Sequence, residues 1–255
     1  MQRTTIRLPD TQGGAVRVVP SSWDDGFYLL DELRLEVVSI DRNGTLRHRF
    51  GGWGESAGSL DFPVDLAVGE NSVFVLDQGR HQIVRLDARL NPVAATPLPE
   101  DRLATAFVRD AQLRFWVIFE NFAGLQIYGD NGDLLDVVAD EGSGSAAVFH
   151  PEQLAASRDA VAAWDPVEGA IFIFYLSGQL QRRLPIGKEL AFADMVWVAG
   201  KILLAGAGGL WEVDTRDGVV SRVYPAAGII DLAYRAPALY GLSRIGAIHV
   251  FHAAR

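Results

Sequence analysis

Six polar residues open apolar runs in a chain of 255 residues: Arg17, Asp65, Thr105, Gln153, Asp194 and Asp231. Their types set the chemistry within reach. If they meet, Asp65, Asp194 and Asp231 can ligate a hard cation such as Ca2+, with oxygen donors from Thr105 and Gln153, or they can bind a cationic ligand. Arg17 can instead hold an anion. Against these readings stands a structural plug in which Arg17 pairs with Asp65 and Asp231 and water fills the remaining space. Apart from calcium no cofactor is expected.

Other chemistries find fewer residues. The chain has no Cys, which removes disulfides, thiolate metal sites and cysteine nucleophiles. Its five histidines are His48, His81, His150, His249 and His252, and a catalytic zinc site needs about three ligands at one point. His249 and His252 lie in one strand-like segment, where alternation sends them to opposite faces. No nucleophile paired with a base and no phosphate-binding loop is present, so no catalytic residue is assigned. Asp31, Asp77 and Asp165 each close an apolar run and are expected to accept hydrogen bonds from turn amides.

The elements that must position these residues are strands. Phe27-Tyr28-Leu29-Leu30, Val73-Phe74-Val75-Leu76, Phe115-Trp116-Val117-Ile118 and Ile171-Phe172-Ile173-Phe174 are short β-branched and aromatic runs bounded by turn residues. No stretch of a dozen residues carries a capped helical period. The segment Phe62 to Asp87 provides a template that recurs. In four copies the opening residue and the residue closing the next run lie 12 positions apart: Asp65 and Asp77, Gln153 and Asp165, Asp194 and Gly206, Asp231 and Ser243. Arg17 and Thr105 open two looser copies. Successive openers advance by about 43 residues, the length of one four-stranded propeller blade. This predicts an all-β, six-bladed β-propeller in a single domain, with blades near 14–50, 60–98, 103–139, 150–186, 190–225 and 228–255. The segment 3–8 has no blade of its own and is expected to pair into the last one.

The second copy carries a family resemblance. Phe50-Gly51-Gly52-Trp53-Gly54, Gly58-Ser59-Leu60-Asp61-Phe62-Pro63, Val73 to Asp77 and Gly79-Arg80-His81-Gln82-Ile83-Val84-Arg85-Leu86-Asp87 resemble one NHL repeat, partly echoed at Gly142-Ser143-Gly144 and Phe149-His150-Pro151. Asp31, Asp77 and Asp165 take the place of the family's Asp, whereas Phe119 or Glu120, Gly206 and Ser243 depart from it. The resemblance implies a propeller; such propellers serve as enzymes, RNA readers and scaffolds alike. An NHL-like amidating lyase would rest its zinc on histidines that do not gather here. A gluconolactonase-like hydrolase would use calcium at the acidic mouth.

Charge argues against nucleic acid. Lys and Arg number 23 against 32 Asp and Glu, a net charge of −9, although Arg80, Arg85, Arg89 and Arg102 gather in the second copy and Arg182-Arg183 in the fourth. These arginines are expected in surface ion pairs. The longest uncharged apolar stretch, about Ala170–Leu176, is too short to span a bilayer. Met1 to Ile6 is polar and lacks the apolar stretch of a signal peptide. Scarce Lys with abundant Ala, Arg and Gly fits a GC-rich bacterial source, and a periplasmic or extracellular location is expected because many bacterial propellers of this kind are exported. Six Trp spread over the copies fit packing between blades; Trp53, in a Gly-rich linker, is a candidate partner contact. The functional expectation is a non-enzymatic scaffold or protein-binding module. The alternative is a small-ligand-binding or calcium-dependent hydrolase or lyase centred on the acidic openers.

Overall fold

Runs of β-branched and aromatic residues without charges belong in the middle of a layered stack, buried on both faces. The computed structural model, which describes residues 2–8, 14–54, 58–206, 208–226 and 228–252, places them there. Six four-stranded antiparallel sheets form the blades of a six-bladed β-propeller. Blade 1 holds β2 (Ala15–Pro20), β3 (Phe27–Asp31), β4 (Glu36–Ile40) and β5 (Leu46–Gly51). Blade 2 holds β6 (Pro63–Val68), β7 (Val73–Asp77), β8 (Gln82–Leu86) and β9 (Pro92–Pro97). Blade 3 runs from β10 (Ala104–Arg109) and β11 (Phe115–Phe119) through β12 (Leu125–Tyr128) to β13 (Leu134–Val138). Blade 4 comprises β14 (Gln153–Ala156), β15 (Ala160–Asp165), β16 (Ala170–Tyr175) and β17 (Leu180–Pro185). Blade 5 comprises β18 (Phe192–Val198), β19 (Lys201–Gly206), β20 (Gly209–Asp214) and β21 (Val220–Tyr224). In blade 6, β22 (Ile229–Arg235), β23 (Ala238–Ser243) and β24 (Ala247–His252) are joined by β1 (Gln2–Arg7). Residues 253–255, which the sequence reading includes in the last blade, lie outside the described residues.

Burial grades across each blade. Every residue of β3, β7, β11 and β15 is buried, whereas the outer strands β5, β9 and β17 expose most of their side chains. Alternation then assigns each buried residue to one neighbour. In blade 1, Tyr28 and Leu30 pack with Leu66, Val73 and Val75 of blade 2, while Phe27 and Leu29 pack with Leu242 and Ile248 of blade 6. In blade 4, Val161 and Ala163 join the core of blade 3, and Ala160, Ala162 and Trp164 that of blade 5. The described residues form two compact units: 1–96 with 224–255, carrying blades 1, 2 and 6, and 97–223, carrying blades 3, 4 and 5. Among them no helix is long and apolar enough to cross a membrane.

The last blade closes as the sequence predicts. β1 runs antiparallel to β24 from Gln2 opposite His252 to Arg7 opposite Ala247. Thr5 Oγ1 and His249 Nδ1 lie 3.1 Å apart across this seam. His249 is buried, and burial, with the Arg3 charge second, lowers its pKa. An unfolded histidine takes up its proton near pH 6.5, the folded one only at lower pH. His249 therefore contributes stability above about pH 6.5 that is lost as the pH falls through its folded value. Asp41, Asp87 and Asp214 are held below the ordinary carboxylate range by hydrogen bonds from Thr45, Asn91 and Arg216, and lose their contributions only below about pH 4. Thermal melts from pH 7.5 to 5 are expected to show a falling melting temperature in the native chain and a flatter profile in His249→Gln. Equal slopes in the two proteins would show that the seam histidine is not responsible.

Candidate functional site

The polar openers sit where the pairing of first and second strands is irregular. In five blades the register shifts beside the opener: between Ala15 and Arg17, Pro63 and Asp65, Ala104 and Ala106, Phe192 and Met195, and Ile229 and Asp231. Such a bulge puts two residues opposite one and re-aims a side chain. Past the bulge, Arg17 faces Leu30, Asp65 faces Leu76 and Asp231 faces Leu242. Gln153 reaches the corresponding place opposite Trp164 without a shift. Blade 3 differs from the sequence alignment by one residue: Ala106 occupies that register opposite Ile118, and Thr105 is the residue bulged out, its hydroxyl 3.5 Å from the Ile118 carbonyl.

Within the first unit the structure brings three openers together. Arg17 Nε donates to Asp65 Oδ1 at 3.0 Å, and Arg17 Nη1 lies 3.4 Å from Asp231 Oδ1. Each carboxylate is also anchored to backbone: Val18 N–H donates to Asp231 Oδ2 at 2.6 Å, and Leu66 N–H to Asp65 Oδ1 at 2.9 Å. The Arg17 side chain is 28% exposed, against 12% for Asp65 and 5% for Asp231. The positive pole is therefore the accessible part of a cluster whose negative charge is sunk beneath it. In the second unit, Gln153 Nε2 donates to the Ala193 carbonyl at 2.8 Å, while Gln153 Oε1 is buried with no donor among the described residues. Asp194 follows Ala193 and belongs to that unit.

These placements bear on calcium. A divalent cation at Asp65 and Asp231 would have to displace the guanidinium that already offsets them, so these residues do not fit a calcium site. Among the described residues no three His, Asp or Glu side chains gather so as to hold a metal ion. His249 is buried, His252 at the end of β24 is exposed, and the His150 amide donates to Asp165.

The aspartates closing the second strands behave as expected. Asp77 accepts from the amides of Asp61 and Phe62, and Asp165 from those of Phe149, His150, Val167 and Glu168. Asp31 accepts from the Arg34 amide and guanidinium. One carboxylate of this kind escapes the sequence reading. Asp110, in the β10–β11 turn, is buried and accepts from Trp116 Nε1 at 2.9 Å and Arg114 Nη2 at 2.6 Å. It lies outside the repeat's aligned positions, and its only signal is the spacing Asp110, Arg114, Trp116. Of the arginines, Arg183 pairs with Glu168 and Arg102 with Asp101, while Arg80 and Arg85 donate to Ser59 and Ser72 hydroxyls. Trp53 is 78% exposed.

No protein-family model matches the chain, and no curated protein sequence matches it. Solved structures do. The virginiamycin B lyase of Staphylococcus aureus aligns with a TM-score of 0.69 at 9% identity, covering 99% of both chains. A gluconolactonase from Xanthomonas campestris aligns at 0.73 and 13%, covering 98% of this chain and 89% of that one. BamB from Moraxella catarrhalis aligns at 0.50 and 16%, over 89% and 70%. At such identities the likeness establishes the fold. It also overturns the scaffold expectation, which took the lack of a recognisable nucleophile and base as a sign against catalysis. A lyase and a lactonase are among the propellers that align with this chain over nearly its whole length, so the missing motif argues nothing against an enzyme.

Arg17→Gln is expected to destabilise the chain by about 3 kcal/mol, because it leaves two anchored carboxylates without their cation. Calcium or EDTA is expected to leave the melting temperature of the native chain in place. A rise of several degrees with millimolar calcium would contradict the pairing described here.

Proposed function

We propose that the chain is an NHL-like propeller enzyme of lyase or hydrolase type, acting on a small polar ligand at the Arg17, Asp65 and Asp231 cluster. The observation that carries this reading is the guanidinium held between two backbone-anchored carboxylates at one register in blades 1, 2 and 6. The solved lyase and gluconolactonase of the same fold support the reaction class, and the repeat-like residues of blade 2 support the NHL likeness.

The chemistry follows from orientation. A guanidinium fixed by two acids cannot swing away, so it presents positive charge to a ligand oxygen without reorganising when that oxygen gains negative charge. Asp65, the more exposed carboxylate, is the group placed to take a proton from the ligand or from a water molecule. Asp231, nearly buried and bonded to the Val18 amide, holds Arg17 in position.

Virginiamycin B and gluconolactone, the compounds in the names of the solved neighbours, are the first substrates to incubate with the purified chain, with products followed by mass spectrometry. Turnover of a small substrate is expected to fall by about a hundredfold in Asp65→Asn, the scale of losing one acid–base group. Asp65→Asn keeps shape, and its melting temperature reports folding separately. Conversion that is unchanged in Asp65→Asn and in Arg17→Lys would remove the cluster from the reaction.

A further inference from the structure

Two clefts occupy matching places between neighbouring blades, one in each unit. The first lies between blades 1 and 2 and measures about 200 Å³; the second lies between blades 4 and 5 and measures about 580 Å³. Pairing register relates them. Ser39 and Ile173 each precede the bulge of a third strand and line their cleft, and the residues opposite them are Tyr28 and Ala162. Arg89 and Arg216 come from the turns closing the third strands of blades 2 and 5, two residues after Asp87 and Asp214.

The first cleft is narrowed by aromatic side chains and holds an ion pair. Tyr28 crosses it to donate to the Ala88 carbonyl at 2.8 Å, Trp23 packs edge-on against Tyr28 at 5.9 Å, and Arg47 pairs with Asp24. The second cleft lacks both aromatic side chains. Ala162 stands in place of Tyr28, and the loop Ser157-Arg158-Asp159 holds no aromatic residue. Its lining instead includes Arg158, Arg182 and Arg216, with Trp197 and Tyr175. Arg216 is occupied by Asp214 through Nε at 3.0 Å and Nη2 at 2.6 Å. Among the described residues Arg158 and Arg182 have no carboxylate partner; Arg182 donates to the Arg216 carbonyl. Asp159 is the one acidic side chain in the lining, so cations outnumber acids there in a chain of net charge −9. Trp197 is half-buried against the blade 4 to blade 5 core, which holds its ring, and Tyr175 is exposed.

We propose that this cleft binds a planar aromatic acid, with Arg158 and Arg182 taking the acid group and Trp197 and Tyr175 flanking the ring. The volume lies within the range of small-molecule sites, and guanidinium forks match carboxylate and phosphate alike. The site shares no residue with the Arg17 cluster, so it stands or falls independently of the proposed reaction.

Isothermal titration with 2-naphthoate and with adenosine monophosphate tests it, with adenosine and inorganic phosphate as the two halves of the second probe. At least one probe is expected to bind more tightly than its halves, to weaken with added salt, and to lose about tenfold in affinity in the Arg158→Gln, Arg182→Gln double variant, roughly one charge-assisted hydrogen bond. Trp197→Phe is expected to weaken binding while sparing the fold. Binding of adenosine monophosphate alone assigns a phosphate, and of naphthoate alone a carboxylate. The proposal is overturned if neither probe binds at about 1 mM, on the scale where 1 mM corresponds to about 4 kcal/mol. It is equally overturned if the double variant, folded by its melting curve, binds as well as the native chain.

Discussion

A buried carboxylate must be paired, and in blades 2 and 4 a single aspartate finds its donors in the amides of the linker that enters the blade. Asp77 receives the amides of Asp61 and Phe62; Asp165 receives those of Phe149 and His150. In both blades the polar opener comes three residues after the second clamped amide, at Asp65 and at Gln153. In these two blades the clamp fixes the linker immediately before the first strand. Blade 3 has Phe119 in place of the aspartate; it keeps the backbone bond from Glu120 N–H to the Leu103 carbonyl, which blade 2 makes from Gln78 to Phe62, and its opener register differs by one residue. Blade 6, with Ser243 at the same place, keeps the register of blade 2, with Asp231 opposite Leu242; the clamp therefore satisfies the linker without alone fixing the register.

The charge arrangement at that site follows the same economy of position. Three openers of mixed sign meet in one unit, and the acids lie deeper than the base. Overall the chain is acidic, yet its two most suggestive places, the Arg17 cluster and the cleft between blades 4 and 5, present guanidinium to the outside. A net charge averaged over the sequence hides this, because carboxylates such as Asp31, Asp77, Asp110 and Asp165 are buried against amides and guanidiniums.

Much of the fold could be read from the residues. The offset of 12 positions survives as register, since a blade's first two strands form a hairpin whose length the core between blades holds constant. The seam strand was also readable, because a strand-like segment without a blade of its own needs a partner. What escaped depends on backbone geometry that residue type does not announce. Leu90 adopts positive φ in the turn between third and fourth strands, where Gly44 and Gly132 serve in blades 1 and 3; its burial in the core of blades 1 and 2 offsets the strain, and no turn dictionary would select a leucine there. The extra residue at Thr105 could not be placed, because a bulge moves pairing without altering the pattern of apolar residues. The pairing of Arg17 with both Asp65 and Asp231 was one reading among several, and only distances choose among them. The open cleft was invisible, since an alanine at position 162 matters only by comparison with the tyrosine at its counterpart.

The seam of the last blade has a consequence for the order of folding. Thr5 and His249 touch across 244 positions of sequence, and contacts of such long range carry the largest closure entropy and form late. β1 is therefore the last strand of blade 6 to be laid down, and until it docks, β24 is an open edge that another strand can pair with.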